Sequence, residues 1–364
     1  MDLPLRNDLA GALPYGAPQV QAEALLNVNE NPYPPPAEVI DAISDHVREA
    51  ATGLNRYPDR DATALRADLA QYVARESDAP GLTADNVWAA NGSNEVMMHI
   101  HQAFGGPGRT VVAASPTYSM YPEYARESFT HLVHVQRRED FGLDMDALLS
   151  AIEHETPTLV VLASPNNPSG NAAASHELEA VCAAAANVPG GCVVVVDEAY
   201  AEFRRPGVPS FVTRVRDYPH VIVTRTMSKA FALAGARLGY AVASPAVIDA
   251  LRIVRLPYHL SAVTQATARA ALHHSEALLS QVGKIRQERD NTVTYLRGRG
   301  YTVVDSDANF VLFGPHRDRE RLFHELLERG VLIRVVGPPG WLRVTIGTSQ
   351  EMALFRKAWE EITA

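Results

Sequence analysis

From residue 87 onward, short apolar runs alternate with longer stretches in which apolar positions return every three or four residues. The runs at 87–90, 110–114, 132–136, 158–163, 192–196, 221–224 and 239–242 predict seven strands. Helical spacing over 94–104, 119–127, 145–154 and 176–186 predicts helices between them. Valine-rich strands separated by helices make an α/β unit whose sheet is mostly parallel and covered on both faces. Ligands of such sheets sit beyond the carboxyl ends of the strands, so the residues just after each strand are where chemistry is expected.

The rhythm then changes. A long helical region is expected from about 261 to 298, followed by short strands at 301–304, 309–313, 331–334 and 342–346 with helices at 318–329 and 350–362. This predicts a second, smaller α+β domain, which a helix near 37–50 would join. At 364 residues the chain is long for one core, on a scale of ~150 residues per domain. The expected division is an N-terminal arm at 1–36, rich in proline and asparagine, and a large domain at 57–260. The small domain takes 37–56 and 295–364, and a connecting long helix takes 261–294.

Composition narrows the function. Lys plus Arg is 33 and Asp plus Glu is 42, a formal net charge of −9, which disfavours a nucleic-acid binder because phosphate neutralisation needs a basic face. Two cysteines, Cys182 and Cys192, are too few for a disulfide scaffold and read as buried packing. The first ten residues carry charge and no apolar core, and no window approaches the ~20 apolar residues of a membrane span, so a soluble cytoplasmic protein is expected. Only three residues are lysine: Lys229, Lys284 and Lys357.

That scarcity singles out Lys229. Lys284 and Lys357 lie on polar helix faces, whereas Lys229 sits in T-M-S-K-A-F, an apolar run just past the strand at 221–224. Desolvation disfavours an ammonium ion, and a neutral lysine amine attacks aldehydes to form a Schiff base. A lysine capping a helix or meeting an acid would read the same way locally. Asp197, in D-E-A-Y, emerges from a fully apolar strand and needs a positive partner. The protonated ring nitrogen of pyridoxal phosphate (PLP) is one, and Tyr200 would then reach the phenolic oxygen; a magnesium-binding or structural acid is the alternative. In S-P-N-N-P-S-G (164–170) the amides of Asn166 and Asn167 are available to a ligand oxygen, although ordinary turns share this composition. In N-G-S-N-E (91–95), Ser93 and Asn94 open a helix and make an anion site or a plain capping turn. Thr226, Ser228 and Arg237 would complete a phosphate cup.

Each of these strand ends suits one part of a single cofactor. Their wording and order resemble those of histidinol-phosphate aminotransferases, PLP-dependent enzymes of the aspartate aminotransferase type. The resemblance is carried by N-E-N-P (29–32), G-S-N-E, P-T-Y-S-M-Y, S-P-N-N-P-S-G, D-E-A-Y, R-T-M-S-K-A-F-A-L-A-G-A-R-L-G-Y and L-R-V-T-I-G-T, which span nearly the whole chain. It implies the PLP-dependent aminotransferase fold, with a large seven-stranded, mostly parallel sheet domain and a smaller α+β domain. It implies further that Lys229 carries PLP as a Schiff base and moves the proton between the substrate α-carbon and the cofactor C4′. Asp197 would pair with the ring nitrogen, Tyr200 and Asn167 with the phenolic oxygen, and Tyr118 would stack on the ring. Ser93, Asn94, Thr226, Ser228 and Arg237 would hold the phosphate, joined by Tyr57 from a neighbouring subunit, so a homodimer is implied. Arg343 would clamp the α-carboxylate and Arg334 a phosphate or distal carboxylate, although both also read as strand-edge arginines. Tyr15, again from the other subunit, and Tyr258 would line the substrate pocket. Two departures from the family pattern, Ser169 and Tyr121, are read as lying outside the chemistry.

The function implied is transfer of an amino group between L-histidinol phosphate and 2-oxoglutarate, giving imidazole acetol phosphate and L-glutamate, in histidine biosynthesis. An aromatic amino acid aminotransferase is the nearest alternative. A threonine-phosphate decarboxylase and a non-catalytic regulator of the same fold are the more distant ones. His99 and His101, two apart on one helix, point in different directions, so they read as packing or surface residues and no metal is expected.

Overall fold

Valine dominates the central strands because they are buried on both sides, and the structure shows this directly. The computed structural model describes residues 4–363 apart from 12, 14, 15, 17 and 18. Its strands are β1 (Ala24–Leu25), β2 (Val87–Ala90), β3 (Thr110–Ser115), β4 (His131–Gln136), β5 (Leu159–Ala163), β6 (Val193–Asp197) and β7 (Val221–Thr226). They continue with β8 (Gly239–Ala243), β9 (Thr302–Val303), β10 (Phe310–Gly314), β11 (Val331–Leu332), β12 (Arg334–Val335) and β13 (Leu342–Thr345). The helices are α1 (Ala37–Ala51), α2 (Thr63–Glu76), α3 (Gly92–Phe104), α4 (Tyr121–Glu127), α5 (Met145–Glu155) and α6 (Ser175–Ala185). Then come α7 (Pro245–Val254), α8 (Ala262–His273), α9 (Ser275–Gly298), α10 (Arg319–Glu328) and α11 (Ser349–Thr363).

Among the described residues, seven strands form one sheet in the order β2-β8-β7-β6-β5-β3-β4. All neighbours are parallel except β8, which runs antiparallel to both β2 and β7. Successive residues enter two separate cores: Val160 and Leu162 join one face, Leu159 and Val161 the other. This is the period-two signature of a doubly covered sheet. The seven strands coincide with the runs read from sequence to within two residues at either end. The helices α2 and α7, which the apolar pattern does not single out, complete the cover.

A smaller antiparallel sheet, β12-β13-β10-β9, lies beyond, and the arm strand β1 pairs in parallel with β11. The run expected as one strand at 331–334 is therefore two, divided at Ile333, because β11 pairs with β1 and β12 with β13. The expected single long helix is likewise two, interrupted at His274, where Arg75 Nη2 donates to the buried Ser275 Oγ at 2.9 Å. Helix α1 packs along α8. No helix among the described residues is long and apolar enough to cross a membrane.

Candidate active site

The carboxyl ends of β5, β6 and β7 and the amino end of α3 converge on a cavity of about 310 Å³. Lys229 lies on its wall, partly buried, with Nζ donating to the Val28 carbonyl at 3.0 Å. Burial lowers its pKa to about 8, reinforced by Arg343 and Arg237 and opposed by Glu30. A substantial share of this amine is therefore neutral near physiological pH, the state a nucleophile requires.

Asp197 ends β6 and is 7% exposed. Among the described residues it forms no ion pair. Its Oδ2 accepts from the Tyr121 hydroxyl at 2.8 Å and its Oδ1 from the Thr224 hydroxyl at 3.0 Å. Burial raises its pKa, and these two hydrogen bonds oppose the rise. Tyr121 thus touches the key carboxylate, which corrects the reading that placed it outside the chemistry. Spacing gave no hint of the contact because 76 positions separate the partners.

Another part of the cavity lining suits an anion. Ser93 and Asn94 occupy the first turn of α3, where backbone N–H groups and the helix dipole favour negative charge. Thr226 and Ser228 are buried beside them, with the Thr226 hydroxyl 3.0 Å from that of Ser228. Arg237 holds a left-handed backbone (φ 53°), with its guanidinium so near Gly92 that a Cβ there would stand 2.7 Å from Nη2. Gly239 supports this turn from below: a Cβ on it would run into the backbone of Ser93. Tyr118 also lines the cavity, with its hydroxyl 3.4 Å from Asn94 Oδ1.

These residues fit PLP. One cavity is lined by a buried carboxylate without an ion-pair partner among the described residues, by an anion-suited helix N-terminus with hydroxyls and an arginine, and by an amine of lowered pKa. Tyr200 and Asn167 also line the cavity. The Tyr200 hydroxyl accepts from Asn29 Nδ2 at 3.0 Å, which gives a structural role to the N-E-N-P segment. Asn166, by contrast, is fully buried and holds its own turn together through Pro116, Thr117 and Ser169. Only Asn167 of that pair faces the cavity.

Arg334 and Arg343 also line the cavity and are direct partners across β12 and β13. Arg343 donates to Asn167 Oδ1 at 2.5 Å and to the Asn27 carbonyl at 2.7 Å, and its guanidinium lies 5.1 Å from the Phe310 ring centre. Like charges directly opposite in a sheet are destabilising, so the pair marks a place that receives anions. Tyr57 and Tyr258 do not line this cavity; they stack at 4.4 Å on an exposed surface. Tyr15 lies outside the described residues. His99 and His101 are both buried, one accepting from Trp88 Nε1 and the other against the Met97 carbonyl, and burial lowers each pKa to about 4. Both cysteines are buried, which pushes their thiols up to about 12.

A family model, aminotransferase class I and II, matches residues 23–358. The chain belongs to that family. Among its relatives it is 58% identical to the histidinol-phosphate aminotransferase of Thermobifida fusca, over 98% of this chain and 95% of that one. It is 55% identical to histidinol-phosphate aminotransferase 3 of Burkholderia lata, over 100% and 96%. Among solved structures, the histidinol-phosphate aminotransferase of Sinorhizobium meliloti in complex with pyridoxal-5'-phosphate aligns with a TM-score of 0.84 at 26% identity, over 99% of this chain and 98% of that one.

Proposed function

We propose that this chain is a PLP-dependent aminotransferase that interconverts L-histidinol phosphate and 2-oxoglutarate with imidazole acetol phosphate and L-glutamate, a cytoplasmic step of histidine biosynthesis. The observation that carries the reading is the cross-strand pair of Arg334 and Arg343 in the lining of the cavity. Histidinol phosphate brings a phosphate and no α-carboxylate, whereas glutamate brings two carboxylates and no phosphate. One pocket must receive both in turn, and a guanidinium fork suits the oxygens of either anion.

PLP, when bound, supplies an electron sink and a carrier for the amino group. The residues divide the remaining work. Lys229, its amine lowered in pKa, would hold the cofactor and take the proton from the substrate α-carbon. Asp197 keeps the ring nitrogen protonated, Tyr200 and Asn167 hydrogen-bond the phenolic oxygen, and Tyr118 stacks on the ring. Ser93, Asn94, Thr226, Ser228 and Arg237 hold the phosphate. Arg343, braced by Asn167 and Phe310, anchors whichever substrate is present, and Arg334 reads its distal anion.

The working unit in this reading is a homodimer. Leu54, Tyr57, Ile253, Leu256 and Tyr258 are exposed apolar side chains, and a second copy would cover them. In that dimer Tyr57 would reach the partner's phosphate site, as the resemblance implies.

The test is steady-state kinetics on histidinol phosphate, phenylalanine and threonine phosphate side by side, repeated with Arg334→Ala. Histidinol phosphate should be the preferred amino donor. Arg334→Ala should lower its kcat/KM about ten- to a hundredfold relative to phenylalanine, the scale of one charged hydrogen bond. An unchanged ratio would show that Arg334 does not read the phosphate. A wild-type preference for phenylalanine would move the chain to the aromatic aminotransferases.

A further inference from the structure

We infer that Tyr121 is a positioning residue for transamination: its phenol, together with the Thr224 hydroxyl, holds Asp197 ionised and correctly rotated to receive the protonated ring nitrogen of the cofactor. The inference rests on PLP being the cofactor. Asp197 accepts from the Tyr121 hydroxyl at Oδ2 (2.8 Å), from the Thr224 hydroxyl at Oδ1 (3.0 Å) and from the Ala199 backbone N–H. An ionised carboxylate is acceptor-only with about four lone-pair sites, so it suits these three donors and keeps room for a further N–H.

The setting makes the two hydroxyls matter. Among the described residues no cation pairs with Asp197, and its neighbour Glu198 is another acid that disfavours the charged form. Without donors, a buried carboxylate takes up a proton and can no longer hold a pyridinium. Thr224 is supplied by sheet register, since it is the Cα partner of Asp197 across β6 and β7. Tyr121 comes from elsewhere: it opens α4, is 1% exposed, and has its ring edge-on to Tyr118 with centres 5.7 Å apart. One turn of chain thereby sets both the Tyr118 ring on the cavity wall and the donor behind its acid.

Tyr121→Phe keeps the volume and removes only the hydroxyl. In the holoenzyme we expect kcat to fall about ten- to a hundredfold, the range for a hydrogen bond to a charged group, with KM for glutamate within about threefold. Reconstitution with ring-15N-labelled PLP should show, without substrate, a nitrogen signal displaced toward the unprotonated form. Thr224→Val should displace it in the same direction, which keeps the test open if Tyr121→Phe does not fold. In an Asp197→Asn background, Tyr121→Phe should change kcat by less than about twofold, because its effect passes through the carboxylate. An unchanged nitrogen signal in both single variants, or a full additive loss in the Asn background, would overturn the inference. The nitrogen signal needs no substrate, so it stands apart from any failure of the histidinol phosphate assignment.

Discussion

Gly239→Ala is a substitution in the sheet whose consequence should appear in cofactor affinity. Gly239 opens β8 and pairs with Ala90 on one side and Thr226 on the other. A Cβ there would stand 2.1 Å from Ser93 N, whereas ordinary contact begins at 3.4 Å. The first turn of α3 must therefore retreat by about 1.3 Å (3.4 − 2.1), since the obstructing atoms are backbone and cannot swing aside. A hydrogen bond of ~2.9 Å stretched by that amount is no longer one. If the turn loses a single charged hydrogen bond to the phosphate, the loss is ~1.5–3 kcal/mol, or about ten- to a hundredfold in Kd. The overpacked strand should also cost ~1–3 kcal/mol of stability. The assay is titration of apo-protein with PLP, followed by absorbance, beside a thermal melt. Gly235→Ala is the control, because a Cβ at Gly235 meets nothing within 4 Å. A Gly239→Ala affinity within twofold of wild type would refute the assignment of the α3 turn as the phosphate cradle.

The remaining outcomes follow from the same geometry. The rate at which apo-protein captures PLP should rise with pH and level off above the Lys229 pKa of about 8, because only the neutral amine attacks; a rate still climbing near 10.5, the ordinary lysine value, would contradict the lowered pKa. Borohydride should fix the label on Lys229, and a label on Lys284 or Lys357 would sink the site. Asp197→Asn should leave the fold largely intact and lower kcat by about a hundredfold or more with little change in KM, and near-normal turnover would contradict its role. Arg225, fully buried, pairs with Glu76 at 2.7 Å and Glu198 at 2.8 Å. Arg225→Met leaves these acids with Arg204 as their remaining cation (3.2 Å from Glu76, 3.7 Å from Glu198) and should cost about 3 kcal/mol in urea unfolding, with a loss under 1 kcal/mol as the contrary result. Burial pushes Glu76 up, but Arg225 and Arg204 outweigh it and hold its pKa at about 2. Its contribution to stability is therefore present at neutral pH and lost as pH falls from 4.5 toward 2.

Arg225 also shows how one strand serves two environments. Thr224 and Thr226 point into the site while Arg225 points to the other face, where Glu76, Glu198 and Glu202 gather around it. The same alternation puts Asp197 in the site and Glu198 behind it. Period-two alternation is a local property, which is why the strand ends could be read before any contact was known.

What the sequence by itself determined is therefore the local part of the molecule. Valine runs defined the strands because burial on both faces leaves no polar position, and the residues following them defined Lys229, Asp197, Asn167 and the α3 turn because a strand must deliver its next side chains to its own end. The tertiary structure alone decided which distant groups meet those side chains. It set Tyr121 on Asp197, Asn29 on Tyr200, the arm carbonyls of Asn27 and Val28 on Arg343 and Lys229, and Arg334 opposite Arg343. It also divided 331–335 between two sheets and broke the long helix at His274. The physical reason is the same in each case. A strand or a turn is favoured by the chemistry of its own few residues, whereas a contact across 76, 171 or 316 positions depends on how whole elements pack, and no short stretch of sequence carries that information.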